Sequence, residues 1–168
     1  VGVFVLYYFG FTDITNTGER LWASIFHSIS AYNNAGFSLW SDSMQHYRTN
    51  WVVNSVVIML IILGGLGWRV TNDIWINRTN LRLRNLSLHT RLVIRTSSIL
   101  IVIGSLGLLL TESLMPGGFF STLGFHERLI TSLFESVSAR TAGFTNMPIS
   151  IESLSDSGLL LLMTLMFI

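Results

Sequence analysis

The sequence carries one pattern twice, at an offset of about 107 residues. Residues 19–31 read ERLWASIFHSISA and residues 127–139 read ERLITSLFESVSA, with eight of thirteen positions identical. Each copy is followed by a few polar residues and then by Ala-Gly-Phe-Ser or Ala-Gly-Phe-Thr, centred on Gly36 and Gly143. Self-similarity at a fixed offset indicates copies of one structural unit. The chain is therefore predicted to contain two structurally equivalent halves.

Long uncharged runs flank both copies. Residues 51–68 carry no charge and have a tryptophan at each end, and residues 92–111 carry a single arginine. At 1.5 Å per residue, a helix over either run is long enough to cross the hydrocarbon core of a bilayer. The apolar runs 1–9 and 159–168 would reach only about 14 to 15 Å and are predicted to be parts of further spans. Half of the residues are hydrophobic and 11% are charged, so the composition favours an all-α membrane protein over a soluble domain.

The distribution of charge predicts the orientation of the spans. Residues 69–95 hold six arginines and one acid, Asp73, whereas the rest of the chain holds four arginines and eight acids. Because loops rich in arginine and lysine stay in the cytoplasm, the segment 69–91 is predicted to be a cytoplasmic loop, with both repeated segments on the external side. The chain then divides into a unit over 1–68, the basic loop, and a unit over 92–168. The six arginines of the basic region are Arg69, Arg78, Arg82, Arg84, Arg91 and Arg95.

The repeated segments are too short and too polar to cross a membrane alone. A helix of thirteen residues is about 20 Å long, which favours a re-entrant half-helix that enters from outside and stops inside the bilayer. The residues that follow, 34–38 and 141–145, would return roughly 17 Å toward the outside if extended. Bare backbone at that depth is tolerated only where it is buried in protein or lines a water-filled path. Each unit therefore reads as a membrane-pore-membrane repeat.

The extended segments have the chemistry of a cation filter. The C-terminal end of a half-helix carries a partial negative charge, and successive backbone carbonyls can replace the hydration shell of a potassium ion. Glycine at the centre of each segment permits backbone angles that other residues resist, and the following phenylalanine is predicted to wedge the segment from behind. A lone Ala-Gly-Phe would be read as a turn, but two matched copies favour a pore. The predicted ion-binding residues are Asn34, Ala35, Gly36, Phe37, Ser38, Thr141, Ala142, Gly143, Phe144 and Thr145.

These motifs resemble the Trk/Ktr/HKT superfamily of potassium transporters, most closely its KtrB type. The resemblance rests on NNAGFS at 33–38, SARTAGFT at 138–145, GGLG at 64–67 and the membrane-pore-membrane order, and it covers nearly the whole chain. It implies four repeats around one pore, with most of the second and third repeats in this sequence. It further implies potassium uptake that depends on sodium, a homodimer in the bacterial plasma membrane, and a cytosolic nucleotide-binding regulatory subunit. Neither an organic cofactor nor a nucleic-acid partner is expected.

Three polar residues near the predicted filter have more than one interpretation. Arg140 lies at the buried end of the second half-helix and is predicted to support the filter through a salt bridge to an acid that the sequence does not identify. His27 and Glu135 occupy matched positions in the two half-helices. They are predicted to bond to neighbouring residues, because nothing nearby would complete a proton relay.

The glycines of the GGLG motif at 64–67 and the basic loop also leave alternatives open. The glycines fit a gating hinge, close helix packing or a helix end. The loop is either a topology signal only or also a docking surface for the regulator, with Asn77–Arg91 as the candidate stretch.

Two other functional classes are less well supported. A carrier with re-entrant loops for an organic or anionic solute would aim helix N-termini at its substrate, whereas the predicted half-helices aim their C-termini inward. An intramembrane enzyme would need a zinc motif, an aspartate pair or a serine nucleophile with its base at membrane depth. The four histidines are scattered and the two full spans contain no acid, so the sequence is not predicted to be an enzyme.

Overall fold

A computed structural model describes residues 1–78, 86–115, 118–148 and 154–167. The described residues are helical and contain no strand. The N-terminal helix α1 continues directly as a π-helical stretch, Leu6–Gly10, and short 3₁₀ turns lie at Gln45–Tyr47 and Phe119–Thr122. The α-helices are α1 (Gly2–Val5), α2 (Thr17–Tyr32), α3 (Trp51–Ile76), α4 (Leu88–Ser113), α5 (Phe125–Ser138) and α6 (Asp156–Phe167).

Side-chain caps fix where the longer helices begin. The carboxamide oxygen of Asn16 accepts from the Gly18 amide at 3.0 Å, and that of Asn50 accepts from two amides in the first turn of α3. The Ser87 hydroxyl accepts from the Thr90 amide at 3.2 Å at the start of α4. Each cap supplies a partner to an amide that the helix itself leaves unpaired.

Helices α3 and α4 are the two described helices with the length and composition to cross a membrane, as expected from the uncharged runs. Both are longer than those runs. α3 continues to Ile76, but Gly67 interrupts it with φ 77° and ψ 160°, and α4 already begins at Leu88. Helical residues therefore lie at both ends of the basic segment predicted as a loop.

The two halves of the chain share one hydrophobic core. α2 packs on α3, and α5 packs on both α3 and α4. A buried cluster joins Val53 and Val57 of α3 to Phe134 and Val137 of α5, and Phe144 completes it from the segment after α5. A second cluster holds α6 against α4. In a bilayer, where apolar side chains are not removed from water, the close packing of these side chains holds the two halves together.

The two short helices end beside the middle of the two long ones. A Cβ atom built on Gly64 would collide with the carbonyl group of Tyr32, so the C-terminal end of α2 contacts α3 about 20 Å along from Trp51. In the other half, the Ser136 hydroxyl of α5 donates to the Ile101 carbonyl of α4 at 3.0 Å. Ile101 lies midway along α4. The segments that follow α2 and α5 therefore start at corresponding levels of the bundle.

Candidate functional site

Residues 34–38 and 141–145, here named the first and second glycine segments, have matching irregular backbones. Gly36 has a φ of 71° and Gly143 a φ of 75°, and the residues two positions earlier, Asn34 and Thr141, have φ values of 51° and 74°. L-residues rarely adopt this left-handed region, whereas glycine adopts it at little cost. The same special conformation occurs at the same places in both copies, which a pair of unrelated turns would not require.

The two glycine segments lie against each other. A Cβ atom on Gly36 would lie 2.7 Å from the Ala142 carbonyl oxygen and 2.9 Å from the Gly143 Cα. A Cβ atom on Gly143 would lie 3.2 Å from the Gly36 Cα. The fold thus brings together two backbone stretches whose glycines are 107 residues apart, and the absence of side chains at both glycines allows the approach.

A serine on each short helix holds the glycine segment that follows it. The Ser30 hydroxyl donates to the Phe37 carbonyl at 2.7 Å, and the Ser138 hydroxyl donates to the Phe144 carbonyl. Neither serine was predicted from the sequence to belong to the site. The repeated pattern could have identified them, because Ser30 and Ser138 are among the identical positions of the two copies. These bonds fix the orientation of one carbonyl in each segment.

His27 fixes the end of the first glycine segment. Its Nε2 atom accepts from the Leu39 amide at 3.3 Å and lies 3.2 Å from the Ser38 hydroxyl. Its Nδ1 atom lies 2.8 Å from the Ala23 carbonyl, and its buried ring stacks on Trp40 with a centroid distance of 4.2 Å. Both ring nitrogens therefore have partners, and the ring is held by packing.

Glu135 has the equivalent place in the second half. Its carboxylate oxygen Oε1 accepts from the Thr145 hydroxyl at 2.7 Å and from the Asn146 amide at 2.9 Å. The side chain is buried. His27 and Glu135 therefore both bond to neighbouring residues, as predicted, and both hold the backbone immediately after a glycine segment.

Further hydrogen bonds join the two halves where the second glycine segment ends. The Met44 amide donates to the Thr145 carbonyl at 2.9 Å, and the Thr145 amide donates to the Ser43 hydroxyl at 3.1 Å. The Asn146 side chain donates to the Asn54 carboxamide oxygen at 2.9 Å. Because these groups are mostly buried, each bond also avoids the cost of an unpaired polar atom.

A cavity of about 460 Å³ lies at the other end of the glycine segments. Its wall includes Asn34 and Thr141, the first residues of the two segments, together with Thr96 and Ser97 of α4. Arg140 also lines it, half-buried, and within the described residues its Nε atom has no hydrogen-bond partner. The structure therefore places Arg140 beside the start of both segments and shows no salt bridge for it within the described ranges.

The two phenylalanines of the repeat differ in their surroundings. Phe144 is 2% exposed and packs into the shared core, in the position expected of a wedge, but Phe37 is 70% exposed. Phe144 packs against residues of the first half, whereas Phe37 lines a pocket with Trp22 and Phe26 of α2. That both phenylalanines wedge their segments from behind stays a prediction.

The donor set of the glycine segments is oxygen-rich. Among the described residues, no group of three or more His, Cys, Asp or Glu side chains could hold a metal ion. What the segments do offer is backbone carbonyls and the Ser38, Thr141 and Thr145 hydroxyls. Such ligands suit a hard, weakly held monovalent cation better than a tightly bound transition metal.

Comparison with known proteins agrees with this chemistry. The family model of TrkH, described as a cation transport protein, matches residues 2–168. Over 151 residues the chain is 40% identical to the Ktr system potassium uptake protein B of Bacillus subtilis and 38% identical to the potassium/sodium uptake protein NtpJ of Enterococcus hirae. These alignments cover 88% and 89% of this chain and 32% of each relative. The Ktr system potassium uptake protein B of Vibrio alginolyticus is 35% identical over 147 residues, covering 86% of this chain and 31% of that protein.

The chain thus spans about a third of the length of the curated relatives it matches. The match to the family model runs over nearly all of its residues, and the matched relatives are ion transporters, which confirms that it is not an enzyme. Together with the two apolar helices, this makes it part of a membrane transport protein. The chain belongs to the TrkH family of cation transport proteins.

Proposed function

We propose that this chain forms half of the pore of a potassium uptake protein, with the two glycine segments as part of its selectivity filter. The observation that carries the proposal is the pair of matched, left-handed glycines lying against each other at the ends of two short helices. The names of the relatives support potassium as the transported ion, and NtpJ supports sodium as a second one. Potassium is here the cargo and not a resident cofactor.

The re-entrant geometry is supported by the levels at which the short helices end. α2 ends beside Gly64, about 20 Å along α3 from Trp51, and the second glycine segment returns to Asn54, near the start of α3. Two such half-helices aim their carbonyl ends at the cavity, where a cation is favoured.

Selectivity would come from carbonyls held in fixed directions. Ser30 and Ser138 each hold one carbonyl, while His27 and Glu135 hold the backbone just beyond it. A dehydrated potassium ion would exchange its hydration shell for the segment carbonyls that these bonds leave free, and for those of the remaining repeats. All ten residues predicted from the sequence, Asn34 to Ser38 and Thr141 to Thr145, belong to these two segments.

The organisation of the whole protein follows the repeat. In this proposal residues 1–68 and 92–168 are two membrane-pore-membrane repeats of a bacterial plasma-membrane protein, and the basic segment 69–91 between them is cytoplasmic. The half-helices then enter from the external side. Two further repeats complete the pore, and the transporter works as a homodimer with sodium-dependent uptake.

The full-length protein should restore growth of a potassium-uptake-deficient bacterial strain on low potassium. Rubidium uptake should saturate and should depend on external sodium. The control is the same protein with both glycine segments replaced by Gly-Ser stretches of equal length. A protein that is inserted in the membrane and takes up an organic solute in place of potassium would show a re-entrant-loop carrier.

Arg140→Gln should change how the protein handles cations because Arg140 lines the cavity at the start of both segments. The guanidinium is a charge in a weakly polar setting, so an acid from a repeat outside this chain is its expected partner. We expect less folded protein or a lower preference for potassium over sodium, measured by rubidium uptake with sodium as competitor. Arg140→Lys, which retains the charge, should recover part of the loss. Normal abundance and normal selectivity in Arg140→Gln would mean that the side chain is free.

The basic segment Asn77–Arg91 is proposed to dock a cytosolic nucleotide-binding regulatory subunit through an acidic face. Arg82 and Arg84, the central charges of this segment, lie outside the described residues. Changing Arg78, Arg82 and Arg84 to Gln should weaken pull-down of the regulator, and added salt should weaken the wild-type interaction, because exposed charges are screened. If pull-down and nucleotide-dependent transport both stay unchanged, the segment is a topology signal only.

A further inference from the structure

An aromatic and basic surface lies at the C-terminal end of α3, beyond the break at Gly67. Trp68 is 79% exposed and Trp75 is 67% exposed, and Arg69 is exposed beside them. Val70 is buried and holds the other side of this short helical stretch against the protein. The left-handed conformation of Gly67 redirects the chain here, so the stretch 68–76 leaves the line of the spanning part of α3.

Two contacts keep this surface in place. The Arg78 guanidinium lies over the Trp75 ring, 4.7 Å from its centroid. The Asp73 carboxylate accepts from the Ser87 amide at 2.9 Å and from the Asn77 side chain at 2.9 Å, which ties the end of α3 to the start of α4. Asp73, the one acid of the basic region, is therefore hydrogen-bonded within the protein and neutralises little of the positive charge of the surrounding arginines.

The length of the uncharged run places Arg69 at headgroup depth. Eighteen uncharged residues from Trp51 to Trp68 span about 27 Å, so Arg69 falls where the hydrocarbon ends. The Arg69 side chain has no hydrogen bond or ion pair in the part of the chain that the structure describes. A surface with exposed arginines beside exposed tryptophans is suited to bind a phospholipid, whose headgroup carries a phosphate next to its acyl chains.

We propose that Trp68, Arg69, Trp75 and Arg78 bind the headgroup of an anionic phospholipid, such as phosphatidylglycerol, in the cytoplasmic leaflet. The tryptophan rings lie at the boundary of the acyl chains, and the guanidinium groups pair with the phosphate. The inference rests on the proposed function only for the orientation, which places this end of α3 at the cytoplasmic surface. A lipid bound here contacts the residues that join the two repeats.

Phosphatidylglycerol titrated into the purified full-length protein in phosphatidylcholine nanodiscs tests the proposal, with bound lipid counted by native mass spectrometry. Arg69→Gln with Arg78→Gln should weaken binding by roughly thirtyfold, from about 1 kcal/mol for each basic residue near an anionic surface. The paired lysine variants should retain most of the binding because they retain the charge. Inorganic phosphate should not displace the lipid, since it lacks the acyl chains that contact the tryptophans.

The matched control is Arg82→Gln with Arg84→Gln, which removes the same charge from the same basic region and leaves the proposed lipid-binding residues unchanged. Binding in that control should stay close to wild type. Equal loss in both pairs would show a non-specific charge effect and overturn the proposal, as would displacement by phosphate. If the variant Arg69→Gln with Arg78→Gln binds the lipid as wild type does but no longer binds a cytosolic protein, the surface is a protein-docking site. Potassium uptake, measured separately, reports on the proposed function, so a failure of either proposal is distinguishable.

Discussion

Gly36→Ser should raise the half-saturation for potassium or rubidium uptake at least tenfold and should admit sodium as a competitor. The added Cβ would lie 2.7 Å from the Ala142 carbonyl oxygen and 2.9 Å from the Gly143 Cα, which are backbone atoms of the second glycine segment. The φ of 71° adds strain of about 1–3 kcal/mol in an L-residue. To relieve the steric contacts and the backbone strain, a carbonyl must turn away from the ion. A loss of about 1.4 kcal/mol in the binding free energy of the ion already lowers its affinity tenfold.

Gly143→Ser should have the same effect with a smaller amplitude. Its Cβ would meet the Gly36 Cα at 3.2 Å, a tight contact that a small backbone shift relieves, although its φ of 75° still disfavours serine. In both variants the affinity for potassium should fall more than the affinity for sodium, because a smaller ion needs fewer carbonyl oxygens and can keep some water. Uptake of rubidium against increasing sodium, normalised to the amount of inserted protein, measures the difference.

Gly104→Ser is the control for both variants. Gly104 is a buried glycine of α4, and its Cβ would collide with the Ser136 hydroxyl and lie 2.7 Å from a Leu165 methyl group. The substitution disturbs packing between α4, α5 and α6 at a site outside both glycine segments. It should therefore lower abundance more than it changes ion preference. If both segment variants transport with wild-type potassium affinity and sodium discrimination, the segments are turns and the proposed pore is wrong.

Gly64→Ala should remove most of the folded protein from the membrane. A Cβ atom there would collide with the Tyr32 carbonyl oxygen and lie 2.7 Å from its carbonyl carbon, so the end of α2 would have to leave α3. Overpacking typically costs about 1–3 kcal/mol, and a collision with backbone belongs at or above the top of that range. Because α2 leads into the first glycine segment, any protein that still folds should also transport poorly.

The neighbouring Gly65→Ala is the matched control. Its Cβ would lie 3.2 Å from the Asn34 carboxamide, a side-chain group and not backbone, so a shift of a few tenths of an ångström relieves the contact. We expect near-normal abundance and a small fall in the thermal midpoint of the purified full-length protein, against a large fall for Gly64→Ala. Similar behaviour of the two variants would show that α2 and α3 are not in close contact at this level.

Local features of the chain were readable from the sequence because they depend on neighbouring residues. The uncharged runs predicted α3 and α4, since hydropathy and length are properties of one segment. The repeated pattern predicted α2 and α5 to within two residues at each end. The left-handed angles at Gly36 and Gly143 follow from the same local logic, because glycine is the residue that adopts them at least cost.

Contacts between distant segments were decided by the tertiary structure. The sequence was compatible with GGLG as a hinge, a packing motif or a helix end. In the fold, the glycines of this motif have different roles. Gly64 allows contact with Tyr32, whereas Gly67 breaks the helix in open space. Which neighbour a glycine meets depends on how two helices cross, and no pattern within one helix encodes that crossing.

The same reasoning explains the residues around the glycine segments. The sequence by itself determined that His27 matches Glu135, that Ser30 matches Ser138 and that Phe37 matches Phe144. Only the tertiary structure decided that the first two pairs hold the backbone of the segments, and that Phe144 is buried while Phe37 is exposed. The physical reason is that a repeat gives its copies equal local conformations, but each copy meets a different neighbour, and burial is a property of the neighbour.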